Sequence, residues 1–274
     1  MMTATEKPVL KFIELPDRVK LQYVEQGDRA GTPVIFLHGI TDSWHSFERV
    51  LPHLPGSIHA FALSQRGHGD SDRPADGYRP SDFAADVAAF MVALHIERAV
   101  IAGHSMGSHI AQRFAIDYPE RTLGLVLMGT FFNFRSNAGL AELWDAVSVL
   151  SDPVDPGFAL DFQQSTLATT VPQLFLETVV EESLKVPAHI WRAALEGLVE
   201  NEHSELLSRI EAPTLIVWGK QDLFCPRSDQ EALQAAITGS ELMTYPRAGH
   251  GLHWDEPERF AADIGAFTES LSTS

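Results

Sequence analysis

Ser105 lies in the run Gly103-His104-Ser105-Met106-Gly107, between the apolar stretch Ala99-Val100-Ile101-Ala102 and a segment of helical period. A serine carried on a tight strand-to-helix turn needs small neighbours. Gly103 and Gly107 let the backbone bend and the strand and helix pack closely, which lifts the hydroxyl above the sheet edge. The first N–H groups of the helix point toward the same place and stabilise negative charge that develops there. A serine hydroxyl is a weak nucleophile at neutral pH, so the chemistry also requires a base. His250, in Ala248-Gly249-His250-Gly251, follows an apolar run at Glu241 to Tyr245, and its flanking glycines give the loop freedom to reach the sheet centre. The imidazole needs a carboxylate to fix its tautomer and stabilise its protonated form. Asp222 follows Leu215-Ile216-Val217-Trp218-Gly219 and would meet His250 at the same sheet edge. Ser105, Asp222 and His250 together predict a nucleophile, orienting acid and base for acyl transfer.

Competing assignments are weaker. Asp255 is near His250 in sequence but reads as the start of the last helix, and Cys225 as a small packing residue. His250 and His253 are three residues apart, yet no HExxH or cysteine–histidine cluster accompanies them, so neither metal nor cofactor is expected.

The residues must be held by a sheet. Apolar runs of strand length alternate with helix-period segments, the pattern of a mostly parallel central sheet with helices on both faces. The runs are Val34 to Leu37, Ile58 to Leu63, Ala99 to Ala102, Leu123 to Met128, Thr214 to Trp218 and Glu241 to Tyr245, preceded by an alternating strand at Val19 to Gln26. Helices are predicted from Ser81, as N-cap, to Leu94, from Ser105 to Ile116 and from Glu256 to Leu271. Between Phe132 and Arg209 the text is helical, punctuated by Pro153, Pro156, Pro172 and Pro187. This predicts an inserted helical cap at 132–209 over a core formed by 1–131 and 210–274, lying where open α/β sheets bind ligands.

The order Ser105, Asp222, His250 resembles that of the α/β-hydrolases, and other motifs extend the resemblance over almost the whole chain. His38-Gly39-Ile40-Thr41 resembles the family's oxyanion loop, Gln65-Arg66-Gly67-His68-Gly69-Asp70-Ser71-Asp72 its next turn, and Tyr118-Pro119-Glu120-Arg121 the end of its nucleophile helix. Ser64 departs from it, standing where the family frequently has aspartate. The resemblance implies an α/β-hydrolase fold, backbone N–H groups of Ile40 and Met106 as oxyanion donors, and packing or hydrogen-bonding roles for His38, His68 and His104. Some members place the acid after the strand that here ends near Gly129, but Thr130-Phe131-Phe132-Asn133 offers no carboxylate. Members that open epoxides or displace halide carry aspartate at the elbow, so Ser105 implies acyl transfer.

Composition bounds the rest. The 274 residues carry 20 Lys+Arg against 37 Asp+Glu, a net charge of -17, which disfavours nucleic acid and anionic membranes. One cysteine excludes an internal disulfide, and Met1 to Pro8 reads as no signal peptide; the default expectation is a cytoplasmic protein with a small-molecule substrate, a homodimer being left open. Ser270 to Ser274 reads as a frayed tail. The insertion is rich in Phe, Leu and Trp with few cations, which favours an apolar pocket; Phe131, Phe132, Trp144, Trp191 and Leu252 are its candidate lining. The leading expectation is hydrolysis of a small to medium, largely apolar ester or lactone through an acyl-enzyme. The alternatives are a carbon–carbon bond hydrolase of vinylogous diketones, whose histidine loop resembles Gly249 to Trp254, a cofactor-free perhydrolase or haloperoxidase, and a non-enzymatic ligand receptor. An aminopeptidase would need acidic groups such as Glu181 and Glu182 to hold a free amine.

Overall fold

Strict alternation along the central strands divides their side chains between two layers. Ile35, Leu37, Ile101, Leu125 and Leu127 point to one face, Val34, Phe36, Val100, Val126 and Met128 to the other, and all are buried. A computed structural model describes residues 9–16, 19–134, 137–200 and 203–271. The leader and tail expectations at 1–8 and 272–274 lie outside the described residues.

The strands are β1 (Val9–Glu14), β2 (Lys20–Gln26), β3 (Thr32–Leu37), β4 (Ile58–Ser64), β5 (Ala99–His104), β6 (Thr122–Met128), β7 (Thr214–Gly219) and β8 (Glu241–Tyr245). They form one sheet in the order β1-β2-β4-β3-β5-β6-β7-β8, antiparallel at β1/β2 and β2/β4 and parallel from β4 to β8. Helices α1 (Pro80–Ala93) and α2 (Met106–Asp117) cover one face through Phe83, Val87, Phe90, Ile110 and Phe114. Further along the chain come α3 (Ala138–Ser148), α4 (Pro156–Ser165), α5 (Gln173–Lys185), α6 (Ala188–Glu200), α7 (Arg227–Ala236), α8 (Leu252–Asp255) and α9 (Pro257–Leu271). Phe260 and Ile264 of α9 pack on the second face.

Between β6 and β7 the described residues form α3 to α6 and no strand. The prolines act as starts: Pro156 opens α4 behind Asp155, whose carboxylate accepts from Phe158 N–H at 2.9 Å, and Pro172 caps α5.

Three local expectations are corrected. Strand β1 has no counterpart in the sequence reading because polarity does not follow burial on this edge strand: Leu10 and Phe12 are exposed while Lys11 and Ile13 are half-buried. The N-cap of α1 is Arg79, not Ser81. Pro80 takes the first helical position, and Asp82 accepts from Arg79 N–H at 3.0 Å. Asp255 ends the short helix α8, and α9 starts only at Pro257.

Candidate active site

The site grows out of the turn between β5 and α2. Ser105 has φ 53 and ψ -118, a strained backbone conformation for a residue with a side chain. Its N–H donates to Met128 O of the adjacent strand at 2.9 Å, which holds the strained turn in place. A Cβ on Gly103 would lie 2.1 Å from Gly107 O, and one on Gly107 would lie 2.1 Å from Leu37 O. Only glycine permits this approach of strand, helix and the end of β3. Met106 opens α2, so its N–H has no carbonyl one turn back to serve.

The acid and base come from the next two strand ends. Asp222 Oδ1 accepts from the N–H groups of Phe224 and Cys225 at 2.8 and 2.9 Å, which aims Oδ2 at His250 Nδ1, 3.0 Å away. Both side chains are buried. An ionised carboxylate can only accept, so the network assigns the ring proton to Nδ1 and leaves Nε2 as the basic nitrogen. The two loops are also tied by backbone, Lys220 N–H to Tyr245 O at 2.9 Å and Gln221 N–H to Ala248 O at 3.0 Å. Ser105 and His250 line one cavity with Gly39, Ile40 and Met106, and no hydrogen bond joins the serine hydroxyl to the ring. Such contacts are often loose without substrate.

Buried histidines support these loops. His38 Nε2 accepts from Gln65 N–H at 2.9 Å, so its Nδ1 carries the proton and donates to Gly39 O at 2.7 Å. His104 Nε2 donates to His250 O at 3.1 Å. Burial holds the pKa of both well below the usual histidine value, so they serve as neutral props. Ser64 donates to Gln22 Oε1 at 2.8 Å and accepts from Trp44 N–H at 3.3 Å, a bonding role that a carboxylate could not fill by donation.

This architecture has a known counterpart. The profile of the alpha/beta hydrolase fold matches residues 32–257. The chain is an alpha/beta hydrolase. Among relatives of this alpha/beta hydrolase, the AB hydrolase superfamily protein YisY of Bacillus subtilis (strain 168) is 29% identical over 276 residues, covering 94% of this chain and 99% of that protein. The 2-hydroxy-6-oxononadienedioate/2-hydroxy-6-oxononatrienedioate hydrolase of Paraburkholderia xenovorans (strain LB400) is 29% identical over 275 residues, covering 93% and 94%. Among solved structures, an esterase from Exiguobacterium antarcticum superposes with TM-score 0.83 at 25% identity over 94% of this chain and 99% of that one.

In this alpha/beta hydrolase the expected pocket residues are only partly brought together. Phe131 lines the cavity. Trp191 does not: it is fully buried between Phe158 and Phe162, its indole N–H donating to Val186 O at 3.1 Å. Trp144 and Phe132 pack against the core, and Leu252 is buried in the layer on the other face of the sheet. A large apolar side chain on a helix is as useful for packing helices together as for lining a pocket, and composition does not separate the two uses. Phe134, Leu140, Phe162, Leu195, Leu198 and Phe224 line the cavity instead.

Asp255 is the main residue that sequence reasoning assigned too little. Its carboxylate accepts from Gly249 N–H at 2.8 Å, Ala168 N–H at 3.2 Å, and the N–H and hydroxyl of Thr169 at 2.9 and 2.6 Å. It therefore pins the His250 loop to the turn between α4 and α5, helped by Gly251 N–H to Thr166 O at 2.8 Å. Gly129 is a second such residue, since a Cβ there would meet the His250 ring at 3.0 Å. A glycine directly after an apolar strand was the available signal.

Asp222, Cys225 and His250 offer ligand atoms within 4.8 Å of one another, the one group among the described residues close enough to hold a metal ion. Cys225 is a poor ligand here, because burial and the nearby Asp222 push its thiol well above the ordinary value. No helix among the described residues is long and apolar enough to cross a membrane.

Proposed function

We propose that the chain is a serine hydrolase cleaving a carboxylic ester or lactone of a small to medium, largely apolar and uncharged substrate. One observation carries the reading: Ser105 and His250 open into a narrow cavity walled by Phe and Leu side chains, with no Lys or Arg among its described lining residues. Helices α3, α4 and α6 act as the cap that supplies those side chains. A cavity without a cation is poorly suited to the dioate named for the Paraburkholderia relative. The esterase structural neighbours support the same choice.

The cycle follows from the geometry. His250 Nε2 takes the Ser105 proton as the hydroxyl oxygen attacks the carbonyl carbon. Asp222 stabilises the imidazolium through Nδ1, and the N–H groups of Ile40 and Met106 hold the oxyanion. Collapse of the tetrahedral intermediate breaks the carbon–oxygen bond, and His250 gives its proton to the departing alcohol. Water, deprotonated by His250, then releases the acid and restores Ser105.

Turnover of p-nitrophenyl butyrate should depend on Ser105, with Ser105→Ala lowering kcat by about 10⁴-fold or more. Nitrophenol release that survives Ser105→Ala would refute the assignment. A fluorophosphonate should label Ser105 alone. Carbon–carbon bond cleavage is the second reading, favoured by the relatives named as hydrolases of 2-hydroxy-6-oxo dienoates; turnover of a vinylogous diketone without ester turnover would select it.

A further inference from the structure

The cavity contains one carboxyl group among its described lining residues, Asp42, and the cycle above does not use it. Asp42 follows Ile40 in the loop after β3 and is 3% exposed. Its Oδ1 accepts from Gln163 Nε2 of α4 at 2.9 Å, and Gln163 also donates to Ser183 Oγ of α5 at 2.7 Å. The carboxyl is thus held from the helical side. Oδ2 is 3.4 Å from Ser46 Oγ, itself 3.0 Å from His253 Nε2. A Cβ on Gly39 would sit 3.0 Å from His104 Nδ1, 3.2 Å from Asp42 Oδ2 and 3.3 Å from Ser105 Cβ, so the carboxyl and the nucleophile flank the same short stretch of loop.

We propose that Asp42 is the specificity-determining residue of this site: its carboxylic acid donates a proton in a hydrogen bond to an uncharged oxygen carried close to the scissile carbonyl, an ether, hydroxyl or second carbonyl oxygen, and once ionised it turns away esters that carry a carboxylate. This rests on the hydrolase reading. Burial pushes the Asp42 pKa up to about 7, against the weaker opposing pull of Gln163, Ser46 and His250. The group is therefore mostly an acid, and a donor, below neutral pH, and about half ionised at pH 7. The titratable groups facing it are His104 from β5, His250 from its loop and, through Ser46, His253 from α8. Burial holds His104 well below the usual value and takes His253 down to about 3, so neither brings positive charge to Asp42. From the helical side Gln163 and Ser183 are uncharged, and Glu182 of α5 is paired with Lys185 at 2.7 Å. Ionised, Asp42 could only accept, and its charge would repel both a substrate carboxylate and the developing oxyanion.

The test compares kcat/KM for p-nitrophenyl methoxyacetate, butyrate and hydrogen adipate between about pH 5.5 and 8.5. Measured against Asp42→Leu, the wild type should favour methoxyacetate over butyrate by about three- to tenfold. That preference should fall as pH rises through about 7. Asp42→Asn, whose amide donates at every pH, should keep the ratio flat, and for the wild type the half-ester of adipate should lose ground to butyrate as pH rises through about 7. The ratio cancels any general loss of activity, and the wild-type profile carries the test if a variant does not fold. A pH-independent ratio common to wild type and variants would reduce Asp42 to a structural anchor, as would an adipate-to-butyrate ratio that stays constant over the same range. Loss of Ser105-dependent butyrate turnover would instead overturn the hydrolase reading and this inference with it.

Discussion

The sheet edge and the helical segment opposite it enclose the same cavity by different means. At the sheet edge, Ser105, Asp222 and His250 stand on loops pinned by backbone hydrogen bonds to neighbouring strands, and glycines set how closely the chains approach. Across the cavity, the wall is made of side chains such as Leu140, Phe162, Leu195 and Leu198 on three helices. Strands β4, β5 and β7 are buried throughout, whereas the helical segment leaves Val149 and Leu174 80% and 78% exposed. The edge is over-determined and leaves little freedom to its reacting groups. The helical wall is tied to the edge at a few points, such as Asp255 on Thr169 and Gln163 on Asp42, but its lining is apolar packing that can be remodelled one side chain at a time.

The largest expected effect breaks the edge. Asp222→Asn should leave the fold intact yet lower kcat on p-nitrophenyl butyrate by about 10⁴-fold, because the amide favours the wrong ring tautomer. Steady-state kinetics beside an unchanged circular dichroism spectrum checks this.

A smaller effect comes from cutting the tie between the two walls. Asp255→Ala leaves the donors on Gly249, Ala168 and Thr169 without their acceptor, which should cost about 1–3 kcal/mol. In a chain of this size each kcal/mol lowers Tm by about 2–4 °C. With the His250 loop loosened, kcat should fall by about tenfold. If Tm falls and kcat does not, the clamp serves stability alone.

Remodelling the helical wall should redirect the enzyme more than disable it. Leu195→Ala and Leu198→Ala should move the best acyl chain of a p-nitrophenyl ester series longer, each removed methylene being worth about 1 kcal/mol, or roughly fivefold in relative kcat/KM. An unchanged chain-length optimum would remove these residues from the substrate wall.

The smallest effect is on stability against pH. Burial holds His68 at about 4 and His253 at about 3, below the usual 6.5, so both stay neutral in the fold. Their contribution is complete above pH 6.5 and is lost as pH falls through those lower values. Asp42 works in the opposite sense: its raised pKa makes its contribution complete below 3.8 and lost as pH rises through about 7. Asp42→Asn should therefore steepen the fall of Tm on acidification from neutrality. A curve that is unchanged or shallower would contradict the protonated carboxyl.

Much of the fold and of the sheet-edge site was legible from residue order, because each piece is local. Strand, glycine, serine, glycine and helix describe one turn, and Asp222 and His250 each follow a recognisable apolar run. Strand β1 was hidden because polarity does not follow burial on this edge, and Ser81 misled because a proline start capped by Asp82 served instead. Asp255 was legible only as a helix residue, since all but one of the donors it binds come from a turn more than eighty residues earlier.

The sequence by itself determined the sheet, the helical insertion and the residues that would meet at Ser105, for backbone geometry is dictated by short patterns of size, polarity and glycine. Only the tertiary structure decided that Trp191 and Leu252 are core, that Phe134, Leu195 and Leu198 face the cavity, and that Asp42 lies buried beside Ser105 on Gln163. Which side of an apolar helix meets a substrate depends on how helices pack against one another, and the pKa of a carboxyl depends on what surrounds it. Neither is written in the residues next to it.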